Sequence, residues 1–356
     1  FFVVTFALNI FVLYFGIRRG IERVCKFGLP ILTGMALILL VRVLTLGAPD
    51  PQHPQNSVIN GLGYLWNPDW QALRHGRVWL AAAGQTFFTL SCGMGVILAY
   101  ASYLRREDDV ALSGLTAASA NEFAEVVLGG SIVIPAAFAF FGAEAMKDIA
   151  QKGIFDLGFV TAPLILQQLP LGGLFGFLWF ALLFIAGITS SISVGLPAIA
   201  FLEDEFDIGR REAVSLVGFV TFALSVGCAM FLADGVLDEL DFWGGTFFLV
   251  VFATIEAILF GWVFGMERAW TELHVGSDIT IPRFYRFIIK YVTPAFLLLI
   301  LGTWLVQDWI PVILLRDIDK KEIPFRIGTR VVLLLILGVL ILLVRASWNR
   351  RRQKEA

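Results

Sequence analysis

Residues 79–103 read WLAAAGQTFFTLSCGMGVILAYASY, an apolar stretch long enough to cross a bilayer but interrupted in its middle by Ser91-Cys92-Gly93-Met94-Gly95. A continuous membrane helix satisfies its own backbone hydrogen bonds and keeps none for a ligand. A helix that unwinds at mid-bilayer leaves N–H and C=O groups free, and in hydrocarbon these are very costly unless protein or ligand satisfies them. Gly93 and Gly95 flank Met94 and admit dihedrals that other residues avoid. The half before the break, Gln85-Thr86-Phe87-Phe88-Thr89-Leu90, brings amide, hydroxyl and aromatic groups to the same depth. Breaks of this kind at the midplane are where secondary transporters hold substrate and ions. A flexible kink, with small residues for helix packing, is the competing reading.

Working outward, the chain is 58% hydrophobic and only 16% charged, whereas soluble domains hold about 25% charged residues. That composition defines an all-α polytopic membrane protein. Nine stretches are long and apolar enough to span: 1–17, 27–48, 78–103, 110–142, 172–202, 213–233, 242–265, 287–309 and 327–344. The connections 18–26, 104–109, 203–212 and 266–290, with the tail 345–356, carry 17 of the 27 Lys and Arg residues. By the positive-inside rule that side, C-terminus included, is expected to be cytoplasmic. A net charge of −2 gives no footprint for nucleic acid. Cys25, Cys92 and Cys228 are not placed for an extracellular disulfide, and His53, His75 and His274 sit at no metal-ligand spacing. No hydrolase elbow, phosphate loop or dinucleotide fingerprint occurs, so nothing points to an enzyme.

Polar groups inside spanning segments carry the functional information. Asn121 and Glu125, four residues apart, share a helix face and offer an amide oxygen and a carboxylate to a cation or a polar network. A helix–helix hydrogen bond is the alternative. Ala186-Gly187-Ile188-Thr189-Ser190-Ser191 places adjacent hydroxyls beside an Ala-Gly step. Such hydroxyls often bond back to their own helix, but hydroxyl and carbonyl oxygens also suit hard cations such as Na⁺. Glu256 is a single acid with no partner visible in the sequence. Segment 143–171 is apolar and Pro-broken around Gly153-Ile154-Phe155-Asp156-Leu157-Gly158-Phe159, and reads as a lid or a re-entrant packing loop. The clusters Asp238-Glu239-Leu240-Asp241 and Leu202-Glu203-Asp204-Glu205-Phe206 lie at membrane borders, where charge is ordinarily just solvated.

Several motifs in order carry a resemblance: GQTFFTLS (84–91), YASY (100–103), LSGLTA (112–117), Asn121-Glu122, GSIVIPAA (130–137), GITSS (187–191), AFLEDE (200–205) and DFW (241–243). Together they resemble the neurotransmitter:sodium symporters, especially the bacterial amino-acid transporters similar to the leucine transporter. The resemblance implies the inverted-repeat sodium symporter fold, with 78–103 as its broken helix. It implies spans four to twelve of twelve, and hence a chain expected to be shortened at its N-terminus, where Phe1 opens directly on an apolar stretch. Residues 1–48 would then be the remnant of the first repeat, 78–265 the second repeat and 287–344 two C-terminal helices. All would lie within one transmembrane domain, with 143–171 as an extracellular lid.

The same resemblance assigns roles. Thr89 and Asn121 would hold one sodium ion, and the carbonyl of Ala186 with the hydroxyls of Thr189 and Ser190 a second. Phe88, Thr89, Ser91, Met94, Ser190 and Val194 would line the substrate site. Glu125 stands where chloride-dependent relatives carry Ser, so no chloride requirement is expected. Asp241 would be the outer-gate acid, and Asp204 with Tyr103 nearby the inner one; the arginine partners of both would lie in the missing spans. Met94, where some relatives carry Phe, and Cys92, where Leu is common, depart from the pattern. The implied activity is sodium-coupled symport of apolar amino acids by alternating access in the plasma membrane (a bacterial inner membrane). The partners would be a small amino acid, Na⁺ and the lipid bilayer. The rivals are a non-transporting, receptor-like amino-acid binder, a non-functional fragment and an ion channel. A channel would need a continuous polar pore, and most of the segments are too apolar to line one.

Overall fold

A computed structural model describes residues 2–16, 20–151, 155, 157–316 and 318–355. The described residues are helical throughout their ordered elements, and seven helices are long and apolar enough to cross a membrane. The chain falls into two compact units. One comprises Phe1–Tyr14, Trp70–Gly114 and Val194–Ala356; the other comprises Phe15–Asp69 and Leu115–Ser193.

In the first unit, α1 (Phe2–Tyr14) packs along α10 (Arg210–Met230). The broken stretch is two helices, α4 (Gly76–Thr89) and α5 (Val96–Ala101). That is why it does not count among the seven uninterrupted spans. The start of α4 is pinned where the Gly76 N–H donates to Gln307 Oε1 at 2.6 Å. Further along, a methyl group at Gly84 would lie 2.8 Å from Thr246 Cγ2, so α4 presses directly on the segment after α11 (Val236–Leu240). That segment, Asp241–Phe247, is a π-helix leading into α12 (Phe248–Ile258). Leu80, Val250, Leu297, Ile300 and Trp304 form the core that joins α4 and α12 to α14 (Thr293–Gln307). A smaller core of Met266, Ala269 and Trp270 holds α13 (Met266–Leu273). The last helix, α15 (Ile323–Glu355), runs 33 residues.

In the second unit, α2 (Glu22–Leu44), α3 (Val58–Trp66), α7 (Ser131–Gln151) and α8 (Ala162–Gln167) pack with the first part of α9 (Gly172–Phe206), and the unit also takes in α6 (Val110–Glu122) from Leu115 on. Its core runs from Leu39 and Val43 through Ala136–Ala139 to Phe175 and Trp179. Two connections read as loops in the sequence are partly helical. Segment 49–77 contains α3, started by Ser57, whose side chain accepts the Asn60 N–H at 3.3 Å; serine in that position satisfies an orphan donor of the first turn. Segment 143–171 begins as α7, which kinks at Gly142 (φ 75°), and ends in α8. Gly153, Ile154 and Asp156 of its central motif lie outside the described residues. The Asn121–Glu125 stretch passes from α6 into a π-helix, Phe123–Gly130.

Candidate functional site: the unwound helix and its polar surroundings

Helix α4 ends at Thr89, and the chain then leaves helical geometry through three left-handed residues: Ser91 (φ 57°), Gly93 (φ 74°) and Gly95 (φ 76°). Serine at positive φ is uncommon and stores strain. Gly93 is required twice over. Besides its φ, a methyl group there would sit 2.7 Å from the Leu249 carbonyl oxygen and 3.1 Å from the Ala253 nitrogen. Helix α12 thus lies backbone-to-backbone against the break. From α12, Glu256 reaches the same point, and its carboxylate accepts the Gly93 N–H at 3.1 Å. Sequence left Glu256 without a partner; the partner is a main-chain group 163 residues away, which no side-chain pattern announces. The N–H groups of Met94 and Gly95 have no hydrogen-bond partner among the described residues. Of the five N–H groups of the break, Ser91 and Cys92 donate to the Phe88 and Phe87 carbonyls and Gly93 to Glu256, which leaves those of Met94 and Gly95 available.

The expected substrate residues of this unit are distributed unevenly. Ser91 and Met94 are half-buried and Phe88 is exposed. Thr89 Oγ1 donates to the Thr86 carbonyl at 3.2 Å. Val194, also expected to line the pocket, is exposed. Only Gly93 and Met94 of the break line the large apolar cleft beside it, with Phe248, Phe252, Leu333, Leu337 and Leu340.

In the other unit, Thr189 Oγ1 donates toward the carbonyls of Ile185 and Ala186, both at 3.0 Å. Two of the expected sodium ligands are thus side by side, with the hydroxyl returned to its own helix. Ser190 is exposed. The Asn121 side-chain nitrogen is buried and without a hydrogen-bond partner among the described residues. Orphaned buried donors are rare and mark strain, function or an unfilled partner. Glu125 is half-buried two residues into the π-helix.

The acidic borders depart from the expectation of simple solvation. Glu239 is only 3% exposed. It accepts the Trp243 indole N–H at 2.7 Å and pairs with Arg330 at 2.5 Å and Arg326 at 3.3 Å. Arg326 also binds Glu322 and Asp238, and Arg330 donates to the carbonyls of Val312 and Ile313. Two signals in the sequence bore on this: the i,i+4 pair Glu239/Trp243, and two arginines four apart entering an apolar span. Asp241 stays exposed and lines a cleft with Arg77, Asp238, Phe242, Thr246 and Trp304. At the other border, Glu203 pairs with Arg210 at 3.2 Å and Glu205 with Arg351 and Ser347, while Asp204 and Tyr103 are exposed. Both clusters are therefore split, with some acids locked into pairs and one in each left facing outward.

An interrupted apolar helix held at its break by a carboxylate, with the described elements all helical, is the architecture of a membrane transporter. Residues 2–314 match the sodium:neurotransmitter symporter family, and the chain belongs to that family, one of sodium-coupled transporters and not of enzymes. It is similar to an uncharacterized sodium-dependent transporter of Bacillus subtilis, 30% identical over 258 residues, covering 72% of this chain and 52% of the relative. An uncharacterized sodium-dependent transporter of Methanocaldococcus jannaschii is 27% identical over 287 residues, covering 79% of this chain and 56% of the relative. The crystal structure of MhsT in complex with L-phenylalanine matches with a TM-score of 0.73 at 26% identity, covering 85% of this chain and 66% of that one. The chain spans about half the length of the curated relatives it matches.

Proposed function

We propose that this chain serves sodium-coupled symport of apolar, zwitterionic amino acids by alternating access. The observation that carries the reading is the break, where Glu256 fixes the Gly93 N–H while the Met94 and Gly95 N–H groups stay available. Backbone donors at membrane depth need an acceptor, and a substrate carboxylate is one. Met94 and Phe88 are apolar, and a charged substrate side chain lying against them would be disfavoured. Met94 changes shape at low cost, which favours broad acceptance. A solved relative bears L-phenylalanine in its name, and a Drosophila melanogaster relative is named a nutrient amino acid transporter.

In this reading Thr89 and Asn121 bind one sodium ion, and the Ala186 carbonyl, Thr189 and Ser190 bind the second. Phe88, Ser91, Met94, Ser190 and Val194 line the substrate. Glu125 supplies the fixed negative charge that makes chloride unnecessary. Asp241 serves the outer gate, Asp204 and Tyr103 the inner, and 143–171 the lid. The protein sits in the plasma membrane with its C-terminus in the cytoplasm. Thr189→Val with Ser190→Ala tests the ion assignment. Binding of labelled phenylalanine or leucine, titrated with Na⁺ against a K⁺ control, should lose its sodium dependence in the double variant. An unchanged sodium response overturns the second site. Best competition by lysine or glutamate overturns the substrate class. Sodium-dependent binding without uptake favours a receptor-like protein.

A further inference from the structure

Helix α15 continues past its apolar stretch into Arg345, Trp348, Arg350, Arg351, Arg352 and Lys354. These residues divide into two faces. At 100° per residue Ser347, Arg350 and Arg351 share one side, and Arg345, Trp348 and Arg352 share an arc of about 60° centred about 140° away. The first face is used within the protein. Ser347 is 3% exposed and donates to Glu205. Arg351 Nε reaches the same carboxylate at 2.9 Å. Arg350 donates to the Phe206 carbonyl at 3.0 Å with its guanidinium 5.5 Å from that ring. The second face is not. Arg345 and Arg352 are exposed and have no ion-pair or hydrogen-bond partner among the described residues, and Trp348 is 63% exposed.

Depth along the helix decides what that face meets. Residues 331–344 carry no charge and are largely exposed, as a lipid-facing span is. Arg330 and Arg345 bracket them, fifteen residues or about 22 Å apart, against a hydrocarbon core of about 30 Å. Trp348 and Arg352, about 27 and 33 Å along the helix from Arg330, then fall at the interface, where Trp is favoured, and the long Arg345 side chain extends toward it from one turn earlier. Arginine's planar donor fork fits phosphate oxygens.

We propose that Arg345, Trp348 and Arg352 form a binding site for the phosphate headgroup of an anionic phospholipid. The Glu205 contacts fix the rotation of α15, so the face is presented without further ordering. Two arginines hold the phosphate and Trp348 lies against the glycerol backbone and upper acyl chain.

The test uses the full chain, reconstituted in vesicles of equal phosphatidylglycerol and phosphatidylcholine, then extracted gently and weighed intact with its bound lipids. Phosphatidylglycerol should be retained selectively. Arg345→Gln with Arg352→Gln should weaken retention by about fivefold per arginine, and Arg345→Lys with Arg352→Lys should keep most of it. Brominated phosphatidylglycerol should quench the emission that Trp348→Phe removes, more than brominated phosphatidylcholine does. Helical content and a single elution peak verify that the variants fold. Equal retention by the Gln variant, equal quenching by the two lipids, or displacement by millimolar glycerophosphate, which would make the ligand a soluble anion, overturns the proposal. None of these readouts depends on sodium or amino acid, so a failed lipid site and a failed transport reading are told apart.

Discussion

Glu239 and Glu256 belong to the same compact unit and both point away from bulk water, yet they are treated in opposite ways. Glu239 receives an indole N–H and two guanidinium groups. Glu256 receives a single main-chain N–H, from Gly93. A fully satisfied buried carboxylate is structural: it ties α11 and the π-helix after it to α15. A carboxylate with one donor, beside two N–H groups that have none, belongs to a place where something else completes the bonding. The contrast also explains the two breaks in regularity nearby. The π-helix Asp241–Phe247 brings Trp243 over Glu239, whereas the break leaves the Met94 and Gly95 N–H groups without an acceptor among the described residues.

The largest effect is expected at Glu239. Glu239→Ala takes from Arg330, 19% exposed, its one carboxylate among the described residues, and from Arg326, 12% exposed, one of three. Removing one member of a buried pair costs about 3–5 kcal/mol because the other charge stays behind. The expected outcome is a large fall in thermal midpoint, with whatever folds still binding amino acid at near-normal affinity. Normal stability would show that the cluster is a solvated border after all.

At the break the order of effects should reverse, with binding hit harder than folding. Gly93→Ala adds a methyl group 2.7 Å from the Leu249 carbonyl and forces a side chain onto φ 74°. Strain of this kind costs about 1–3 kcal/mol, enough to shift the segment and its N–H groups. Glu256→Ala leaves the Gly93 N–H unpaired, a penalty of about 1–3 kcal/mol, whereas Glu256→Gln keeps an acceptor oxygen. Labelled phenylalanine binding should be lost in Gly93→Ala, reduced in Glu256→Ala and mostly retained in Glu256→Gln. If Glu256→Gln is as damaging as Glu256→Ala, the charge rather than the hydrogen bond is what the break needs.

The two regions also differ in how legible they were. The break was readable because its cause is local: Gly93 and Gly95 around Met94, inside an apolar run too long to be a loop. The long spans were readable for the same reason. Glu239 was not, because its burial is made by Arg326 and Arg330, 87 and 91 residues along the chain. Nor was the Glu256 contact, whose partner is backbone and carries no residue signature. Helix α3 hid in a connection whose polar composition masked a nine-residue apolar helix started by Ser57. The resemblance to a symporter supplied the roles of Thr89, Asn121, Thr189 and Ser190; physical patterning alone marked only that polar groups stood at membrane depth.

Asp109 is the counterpart of Glu256 on the aqueous side, and its effect should be the smallest. Like Glu256 it is a carboxylate on main-chain donors. Its two oxygens accept the Leu112 N–H at 2.8 Å, capping α6, and the Asp278 N–H at 2.7 Å. Unlike Glu256 it is open to water, where solvent competes for the same bonds and screens the charge. The Leu112 and Asp278 N–H groups hold its carboxyl below the ordinary aspartate range. A group whose folded value is lowered adds stability above its unfolded value and loses it as pH falls through the folded one. Folding should therefore weaken slightly on acidification, beginning near the ordinary aspartate value and finishing below it. Asp109→Asn should flatten that part of the profile and lower neutral stability slightly, because the amide oxygen still caps α6 but only one of the two backbone N–H groups keeps its acceptor. Thermal midpoints across the acidic range, wild type against variant, provide the measurement. Parallel curves would mean that neither backbone bond favours the charged form, and that the link from Asp109 to Asp278 is steric contact alone.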